Sequence, residues 1–249
     1  MDNTRIDWAE MSWNPITGCR HGCEYCYARR IAERFGGHMQ AGAKTELQEP
    51  VLKNGKMVPY PYDFTPTLHR YRLDEAERKS RPRNIFVGSM ADIFGSWIPT
   101  VWIAEILEHC QKAMQHNYMF LTKNPERYLQ LDEIALLPRE KNFWYGSTVT
   151  TEDSAYFHSS HHKTFLSIEP LLGRLGPLAK PLEGIDWVII GAMTGPGSAK
   201  HQPEREWVEE IVERCRASEI PVFMKSNLAG VWGEDLIQEF PPEMRRGDE

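Results

Sequence analysis

The sequence has 249 residues, of which 41% are hydrophobic and 26% are charged, a composition typical of a globular protein that buries a core without disulfide staples. Its formal net charge of -6 excludes the global positive field that drives non-specific nucleic-acid binding. The acidic, polar start "MDNTRIDWAE" is not a signal peptide, and no apolar run reaches the roughly 18 residues that span a membrane. Five cysteines, an odd number, argue against a secreted disulfide framework. We therefore expect a cytoplasmic protein with no membrane partner.

The first distinctive element is the stretch "WNPITGCRHGCEYCYARR" (13–30), which places Cys19, Cys23 and Cys26 directly before a helical-looking run. Thiolates at this spacing can converge on one point, and soft sulfur ligands select zinc, copper(I) or an iron–sulfur cluster. A cubane cluster normally takes four thiolates, so three would leave one iron open to another ligand. The alternatives are a zinc knuckle with His21 as fourth ligand, and three buried structural cysteines. The flanking glycines suit a tight loop around a cluster, which favours iron–sulfur.

Residues 36–83 fit the later strand-and-helix rhythm poorly, and we predict that they form a long insertion after the first helix. A loop this long in a compact domain is usually functional. Asn54-Gly55 predicts a small hairpin within it. The run "RYRLDEAERKSRPR" (70–83) is either a solvated, partly helical surface or a patch whose aromatic rings stack bases while Arg and Lys hold phosphates.

From about residue 85 the chain alternates short, β-rich apolar runs with amphipathic helical stretches. The helices at 100–116 and 204–218 carry Cys110 and Cys215 on their apolar stripes, which predicts that both cysteines pack in the core. The runs do not alternate polar and apolar residues, as expected for parallel strands covered on both faces. Six strand-plus-helix units indicate a parallel α/β barrel or a doubly wound sheet. The predicted strands cover residues 84–90, 118–123, 143–149, 164–170, 186–193 and 221–226.

Polar residues cluster where the predicted strands end. In parallel α/β architectures that edge is where ligands bind and chemistry takes place. A lone polar residue there proves little because strand ends are exposed, but several on one edge indicate a site. The residues are Ser89, Asp92, Lys123, Ser147, Thr148, Glu169, Thr194 and Lys225.

The block "CRHGCEYC" matches the pattern C-x3-C-x-Φ-C of the radical S-adenosylmethionine superfamily, with Tyr25 as the aromatic Φ. The blocks "FVGSMADIF", "FLTKNPERY", "WYGSTV", "FLSIEPLLG", "DWVIIGAMTGPG" and "PVFMKSN" resemble a phage- and prophage-associated radical S-adenosylmethionine family of largely unassigned function, distantly like spore photoproduct lyases. The resemblance covers nearly the whole chain except 36–83. It implies an α/β fold, a partial parallel (β/α)6-type barrel, as a single domain over 1–249 with an insertion at about 36–83.

The resemblance also implies two cofactors, a 4Fe–4S cluster and S-adenosylmethionine, and an external electron donor. In that superfamily S-adenosylmethionine chelates the open iron, and its reductive cleavage releases a 5′-deoxyadenosyl radical that abstracts hydrogen from the substrate. Many members read Gly-Gly-Glu-Ser-Gly where this chain has "GAMTGPG" (191–197), so no role carries over to Met193 or Thr194. By position, the resemblance implies that Cys19, Cys23 and Cys26 ligate the cluster. It implies that Tyr25 lies near the adenine, that Gly191 allows the adenine to approach closely, and that Ser89 and Asp92 contact the methionine amino group. Glu169 and Lys123 would then contact the ribose or the methionine carboxylate, and Lys225 would face the cofactor or the substrate.

Three functions stay open from the sequence. The first is a radical S-adenosylmethionine enzyme that modifies or repairs a nucleic acid or nucleotide. The second is a similar enzyme acting on a peptide or protein, although such enzymes often carry extra cysteines in a C-terminal extension and only Cys215 lies in the last half here. The third is a zinc-binding interaction protein without catalysis. The resemblance further implies a possible three-Cys-motif partner protein.

Overall fold

Strands form at all six positions that the sequence predicts from residue 84 onward. The computed structural model describes residues 2–42, 45–176, 182–195 and 197–244. The chain divides into two compact units, the first made of Met1–Arg5 and Ala9–Thr122 and the second of Ile6–Trp8 and Lys123–Glu249.

The first unit contains a parallel sheet and most of the shorter strands. In the sheet, β2, β8 and β9 pair in parallel in chain order, and β1 adds to β2 in the antiparallel sense. Helix α2 connects β8 to β9, and a 3-10 helix spans Arg70–Glu75. The elements are β1 (Asp2–Asn3), β2 (Met11–Trp13), β3 (Ile16–Thr17), α1 (Tyr27–Arg34), β4 (Glu46–Leu47), β5 (Leu52–Lys53), β6 (Lys56–Met57), β7 (Thr67–His69), β8 (Asn84–Val87), α2 (Thr100–Gln111) and β9 (Asn117–Thr122).

The second unit contains four parallel strands that pair in chain order, β10 to β13. Every residue of the strands at 187–190 and 222–224 is buried, as expected for parallel strands covered on both faces. Short 3-10 helices lie at Ser198–Lys200, Ser226–Leu228 and Pro242–Met244. The other elements are α3 (Glu126–Glu133), β10 (Phe143–Thr148), β11 (Lys163–Ile168), β12 (Trp187–Ile190), α4 (Arg205–Ala217), β13 (Val222–Met224) and α5 (Ala229–Trp232).

The predicted fold class is confirmed in both units, because each holds parallel strands in chain order with the repeating pattern of a partial (β/α) barrel. The prediction of six strand-plus-helix units is wrong in detail. No helix forms between β10 and β11 or in the described residues between β11 and β12. The first connection, 149–162, is polar and lacks a helical apolar period. The second, 169–186, is interrupted by prolines and glycines, which disfavour helix interiors.

The insertion at 36–83 is structured in its described residues, while residues 43–44 lie outside them. β3, β7 and β4 form a three-stranded sheet that joins the insertion to the segment before the cysteines. The hairpin predicted at Asn54-Gly55 is confirmed, since β5 and β6 pair antiparallel across it. Both turn residues have positive φ, 52° and 73°, as a two-residue type I′ turn requires.

The two cysteines on the apolar stripes of the helices are buried, as predicted. Cys110 in α2 and Cys215 in α4 are both fully buried, and burial raises the pKa of each thiol, that of Cys215 to about 12. The helix predicted over 100–116 ends earlier, at Gln111, so Met114 lies beyond it and is exposed. Within the described residues, no helix is both long and apolar enough to cross a membrane.

Candidate cofactor site

The three clustered cysteines lie on the loop that joins β3 to α1. All three are half-buried. Cys26 is the N-cap of α1, and its Sγ accepts a hydrogen bond from Arg29 N at 3.4 Å. Gly18 and Gly22 have φ of 92° and 73°, the left-handed region that favours glycine. The loop therefore turns tightly at two points and presents its thiols just before a helix.

The start of this loop is fixed by backbone hydrogen bonds from two directions. Gly18 N donates to Met90 O at 2.9 Å, just beyond β8, and Cys19 N donates to Phe64 O at 3.2 Å. A Cβ at Gly18 would lie 2.5 Å from the carbonyl carbon and oxygen of Thr65. Only glycine allows the loop to approach the insertion this closely.

The donor set of the loop suits a sulfur-ligated metal group. Burial raises the pKa of Cys19 to about 11, and the charges of Asp92, Cys23 and Cys26 add to this rise. Among the described residues, no three His, Cys, Asp or Glu side chains are already gathered closely enough to hold a metal ion. The fit thus lies in the type, number and half-buried placement of the thiols on one loop, which is the chemistry that an iron–sulfur cluster requires.

One ring nitrogen of His21, the fourth ligand of the zinc alternative, is bonded to a carboxylate. Its Nε2 lies 2.7 Å from Asp92 Oδ2, and its ring packs edge-on against Trp97 at a centroid distance of 4.7 Å. Asp92 Oδ1 accepts hydrogen bonds from Phe94 N at 3.1 Å and from Thr122 Oγ1 at 2.7 Å. Both carboxylate oxygens of this buried Asp92 therefore have protein partners, and they tie the cysteine loop to the ends of β8 and β9.

The chain after β8 is held by Asn14, a residue that the sequence interpretation did not select. Its Oδ1 accepts hydrogen bonds from Ser89 Oγ at 3.1 Å and from Met90 N at 2.9 Å. Tyr27 Oη donates to Ser89 O at 2.7 Å. The position of Asn14 directly after β2, within the block "WNPITGC", was the available signal. Tyr25 is half-buried on the loop, between two of the cysteines.

In the second unit, three of the residues selected from the sequence lie together at the ends of β11, β12 and β13. Glu169 forms an ion pair with Lys225. A Cβ at Gly191 would lie 2.9 Å from Lys225 Cδ and 3.2 Å from Glu169 Cδ, so the ion pair lies against bare backbone. Lys123, directly after β9, is half-buried. The cofactor roles of these residues stay predictions.

A side-chain amide that the sequence interpretation missed supports this edge of the second unit. Asn227 Oδ1 accepts from Ala192 N at 3.0 Å, and its Nδ2 donates to Ala192 O at 2.8 Å. The amide thereby fixes the backbone just after β12 through two hydrogen bonds. Its place at the end of the block "PVFMKSN" was the signal. Ser147 is fully buried and its Oγ accepts from Phe157 N at 2.9 Å, so it serves packing.

The basic run 70–83, for which one interpretation of the sequence allows a phosphate-binding patch, carries several ion pairs. Most of its arginines are already hydrogen-bonded within the first unit, and Arg72 donates to the carbonyl oxygens of Asn14 and Pro59. Charges that are paired in this way are poorly available to phosphates. The ion pairs are Arg70 with Glu46 and Glu105, Arg78 with Asp74, and Arg83 with Glu10.

Comparison with known proteins gives one family and two similar folds. The family described as "Protein of unknown function (DUF5131)" matches residues 3–246. No curated protein matches the chain. A double mutant of spore photoproduct lyase with bound AdoMet and dinucleoside spore photoproduct has a TM-score of 0.48 and 14% identity, over 86% of this chain and 62% of its own. A cysteine-to-serine mutant of spore photoproduct lyase has a TM-score of 0.49 and 13% identity, over 93% and 76%. The chain thus spans less than two thirds of the first of these proteins.

Proposed function

This chain belongs to the DUF5131 family of proteins of unknown function, and from its own residues we propose that it is a radical S-adenosylmethionine enzyme that acts on a nucleic acid or nucleotide. The observation that carries the proposal is the half-buried loop that places Cys19, Cys23 and Cys26 directly before α1. Three thiolates hold three irons of a 4Fe–4S cluster and leave the fourth for a small molecule.

The chemistry that such a cluster supplies, when S-adenosylmethionine is also bound, is the one-electron reductive splitting of a carbon–sulfur bond into an adenosyl radical. The role of the protein is to hold and orient the groups that take part in this reaction. The bonds of Gly18, Cys19 and Cys26 to the surrounding backbone fix the loop. Asp92 holds that loop through His21.

In the second unit, the Glu169–Lys225 pair offers a carboxylate and an ammonium beside bare backbone at Gly191. These groups suit the hydroxyls of a ribose and the carboxylate of an amino acid, both of which S-adenosylmethionine carries. Gly191 leaves room for a flat ring because it has no side chain.

The test is anaerobic purification and reconstitution with ferrous iron and sulfide, followed by iron, sulfide and zinc analysis and an absorption spectrum. We expect about four irons per chain, because a cubane cluster contains that number. Changing Cys19, Cys23 or Cys26 to Ala is expected to abolish the brown colour. Cys110→Ala and Cys215→Ala are the matched controls and should keep the iron, since both thiols are buried in helices. A colourless protein with one zinc, or a cluster that survives the loop substitutions, contradicts the proposal.

The reaction type is tested by adding S-adenosylmethionine and a strong reductant to the reconstituted protein and measuring 5′-deoxyadenosine. The same assay with DNA, RNA, nucleotides or a peptide mixture, and with deuterated substrate, identifies the substrate class. Deuterium that enters 5′-deoxyadenosine only from nucleic acid or nucleotide supports the proposal. Deuterium transfer from peptides alone supports the alternative of a peptide-modifying enzyme.

A further inference from the structure

The outer face of α1 carries exposed apolar and basic side chains immediately after the cysteine loop. Tyr27, Ile31 and Phe35 are 44%, 37% and 53% exposed. Tyr27 and Ile31 are neighbours on the helix surface, and Phe35 is the C-cap residue, whose N–H still bonds to Ile31 O. Arg30 and Arg34 are exposed beside them. The buried residues of α1 are Ala28 and Ala32. We refer to these five exposed residues as the α1 face.

Exposed apolar side chains are concentrated in this part of the protein. Single exposed apolar residues are normal, whereas a cluster marks an interaction surface. In the described part of the chain, the large apolar residues that are exposed are Tyr27, Ile31, Phe35, Met39, Leu52 and Met57 in the segment 27–57, and Val101, Met114, Leu129, Ile134 and Leu172 elsewhere. More than half of them thus fall in one short segment of the first unit.

The net charge of α1 is opposite in sign to that of the whole chain. α1 has the sequence YARRIAER, with three arginines and one glutamate, which gives +3 - 1 = +2, while the chain carries -6. The Arg34 guanidinium lies over the Phe35 ring at 5.2 Å from the centroid. The α1 face therefore pairs aromatic rings with cations, a combination that suits bases joined by phosphates.

The hairpin of β5 and β6 carries further exposed positive charge in the same unit. Lys53 and Lys56 pair across its tip, and both are exposed. The chain leaving α1 is attached to the segment that follows the hairpin, since Gly37 N donates to Tyr60 O at 2.9 Å. The helix and the hairpin are thus neighbouring parts of one unit.

We propose that the α1 face binds single-stranded nucleic acid, with bases stacked on Tyr27 and Phe35 and phosphates held by Arg30 and Arg34. The two rings are eight residues apart, which is about 12 Å along a helix, and the Tyr27 ring is held by the bond from its Oη to Ser89 O. Single strands are favoured over duplexes because unstacked bases expose their faces to aromatic rings. That the bound strand is also the substrate rests on the proposed function.

The test uses fluorescence anisotropy with a labelled single-stranded DNA oligonucleotide of mixed sequence and the full chain. Phe35→Leu keeps an apolar side chain but removes the ring, and we expect it to weaken binding about 5- to 100-fold. The double variant Arg30→Gln/Arg34→Gln should weaken binding and lower the slope of log affinity against log salt by about 1.4, or 0.7 for each charge lost.

Two controls separate this face from general properties of the chain. Leu129→Ala removes an apolar side chain of similar exposure, 51%, and Lys141→Gln/Arg216→Gln removes two exposed charges of the second unit. Both should bind like the unaltered protein. Heparin, a polyanion without bases, should bind Phe35→Leu unchanged but the double arginine variant more weakly. Circular dichroism and thermal unfolding establish that each variant is folded.

The proposal is overturned if the oligonucleotide does not bind, if Phe35→Leu binds it as well as the unaltered protein, or if the controls weaken binding equally. It is also overturned if Phe35→Leu changes only the oligomeric state in light scattering, because the face is then a contact between copies. Oligonucleotide binding with no iron–sulfur cluster after reconstitution would refute the proposed function alone. Cluster loading without oligonucleotide binding would refute only this inference.

Discussion

At the scale of single residues, the cysteine loop depends on two glycines that do different work. Both have positive φ, but a Cβ at Gly18 would meet backbone of Thr65 at 2.5 Å, whereas one at Gly22 would meet nothing within 4 Å. The first glycine therefore serves a close approach between two segments, and the second serves only a turn. Replacing each glycine by alanine therefore separates the effect of steric crowding on stability from the effect of backbone conformation.

Gly18→Ala is expected to lower the free energy of unfolding by about 2–5 kcal/mol, the sum of left-handed strain and a clash with backbone that cannot give way. Gly22→Ala should cost only about 1–2 kcal/mol, since strain is its single cost. Guanidinium unfolding of both variants measures the difference. Equal losses would show that the approach of Gly18 to Thr65 is not tight.

The sequence predicts the reactive side chains of the site better than it predicts the residues that hold them in place. Cys19, Cys23 and Cys26 could be selected because thiols at this spacing are rare, and Glu169 and Lys225 because they follow buried strands. Asn14 and Asn227 act by hydrogen-bonding backbone atoms far away in the sequence. Nothing in a local pattern shows which backbone atom an amide will meet, so these residues became apparent only in the folded chain.

At the scale of elements, the buried strands and the hairpin at Asn54-Gly55 could be predicted, and the pairing of the shortest strands could not. Runs such as 164–170 and 186–193 are apolar and rich in β-branched residues, so their burial and β structure follow from composition. β2 is only three residues long, and it pairs with β8 more than 70 positions further on. The sheet of β3, β7 and β4 likewise depends on pairing across long loops. Short strands of this kind are stabilised by tertiary contacts, which local patterns do not contain.

That small sheet predicts a pH-dependent stability. His69 at the end of β7 is fully buried, with Nε2 2.9 Å from Thr17 Oγ1 and Nδ1 3.1 Å from Tyr71 Oη. Burial, together with the nearby Arg72 charge, lowers its pKa to about 3. Below its ordinary pKa of about 6.5 the unfolded chain binds a proton that the folded chain excludes. The contribution of His69 to stability is therefore present above that pH and is lost as the pH falls toward 3.

We expect the free energy of unfolding to fall by about 1.4 kcal/mol for each pH unit between 6.5 and 3 on account of this group. His69→Gln removes the titrating group, so the stability gap between the two proteins should narrow on acidification. Urea unfolding at a series of pH values from 7 to 4 measures the gap. Parallel stability curves would contradict the assignment to His69.

At the scale of the whole molecule, the second unit includes a segment from near the start of the sequence. Residues Ile6–Trp8 belong to it, although the residues on both sides belong to the first unit. The Trp8 ring packs against Phe165 at a centroid distance of 6.1 Å and against Trp187 at 6.3 Å. Asp7 Oδ2 accepts a hydrogen bond from Ser226 N at 2.7 Å. Trp8 thus contributes to a core formed otherwise by residues from 123 onward.

Trp8→Ala is expected to destabilise the second unit by about 3–5 kcal/mol, the usual cost of truncating a buried tryptophan. Hydrogen exchange followed by mass spectrometry locates the effect. Peptides from β11 and β12 should exchange faster in the variant, whereas peptides from β8 and α2 in the first unit should change less. Faster exchange that is confined to the first unit would contradict the assignment of Trp8.

The position of Trp8 has a consequence for the order in which the chain is made. Residues 6–8 emerge from the ribosome well before the strands of the second unit. The Trp8 side chain therefore has none of these packing partners until Phe165 and Trp187 have been synthesised. A fragment that starts at residue 123 contains all four parallel strands of that unit and still lacks the ring that covers two of its aromatic residues. The core of the second unit is therefore completed by a residue from near the start of the sequence.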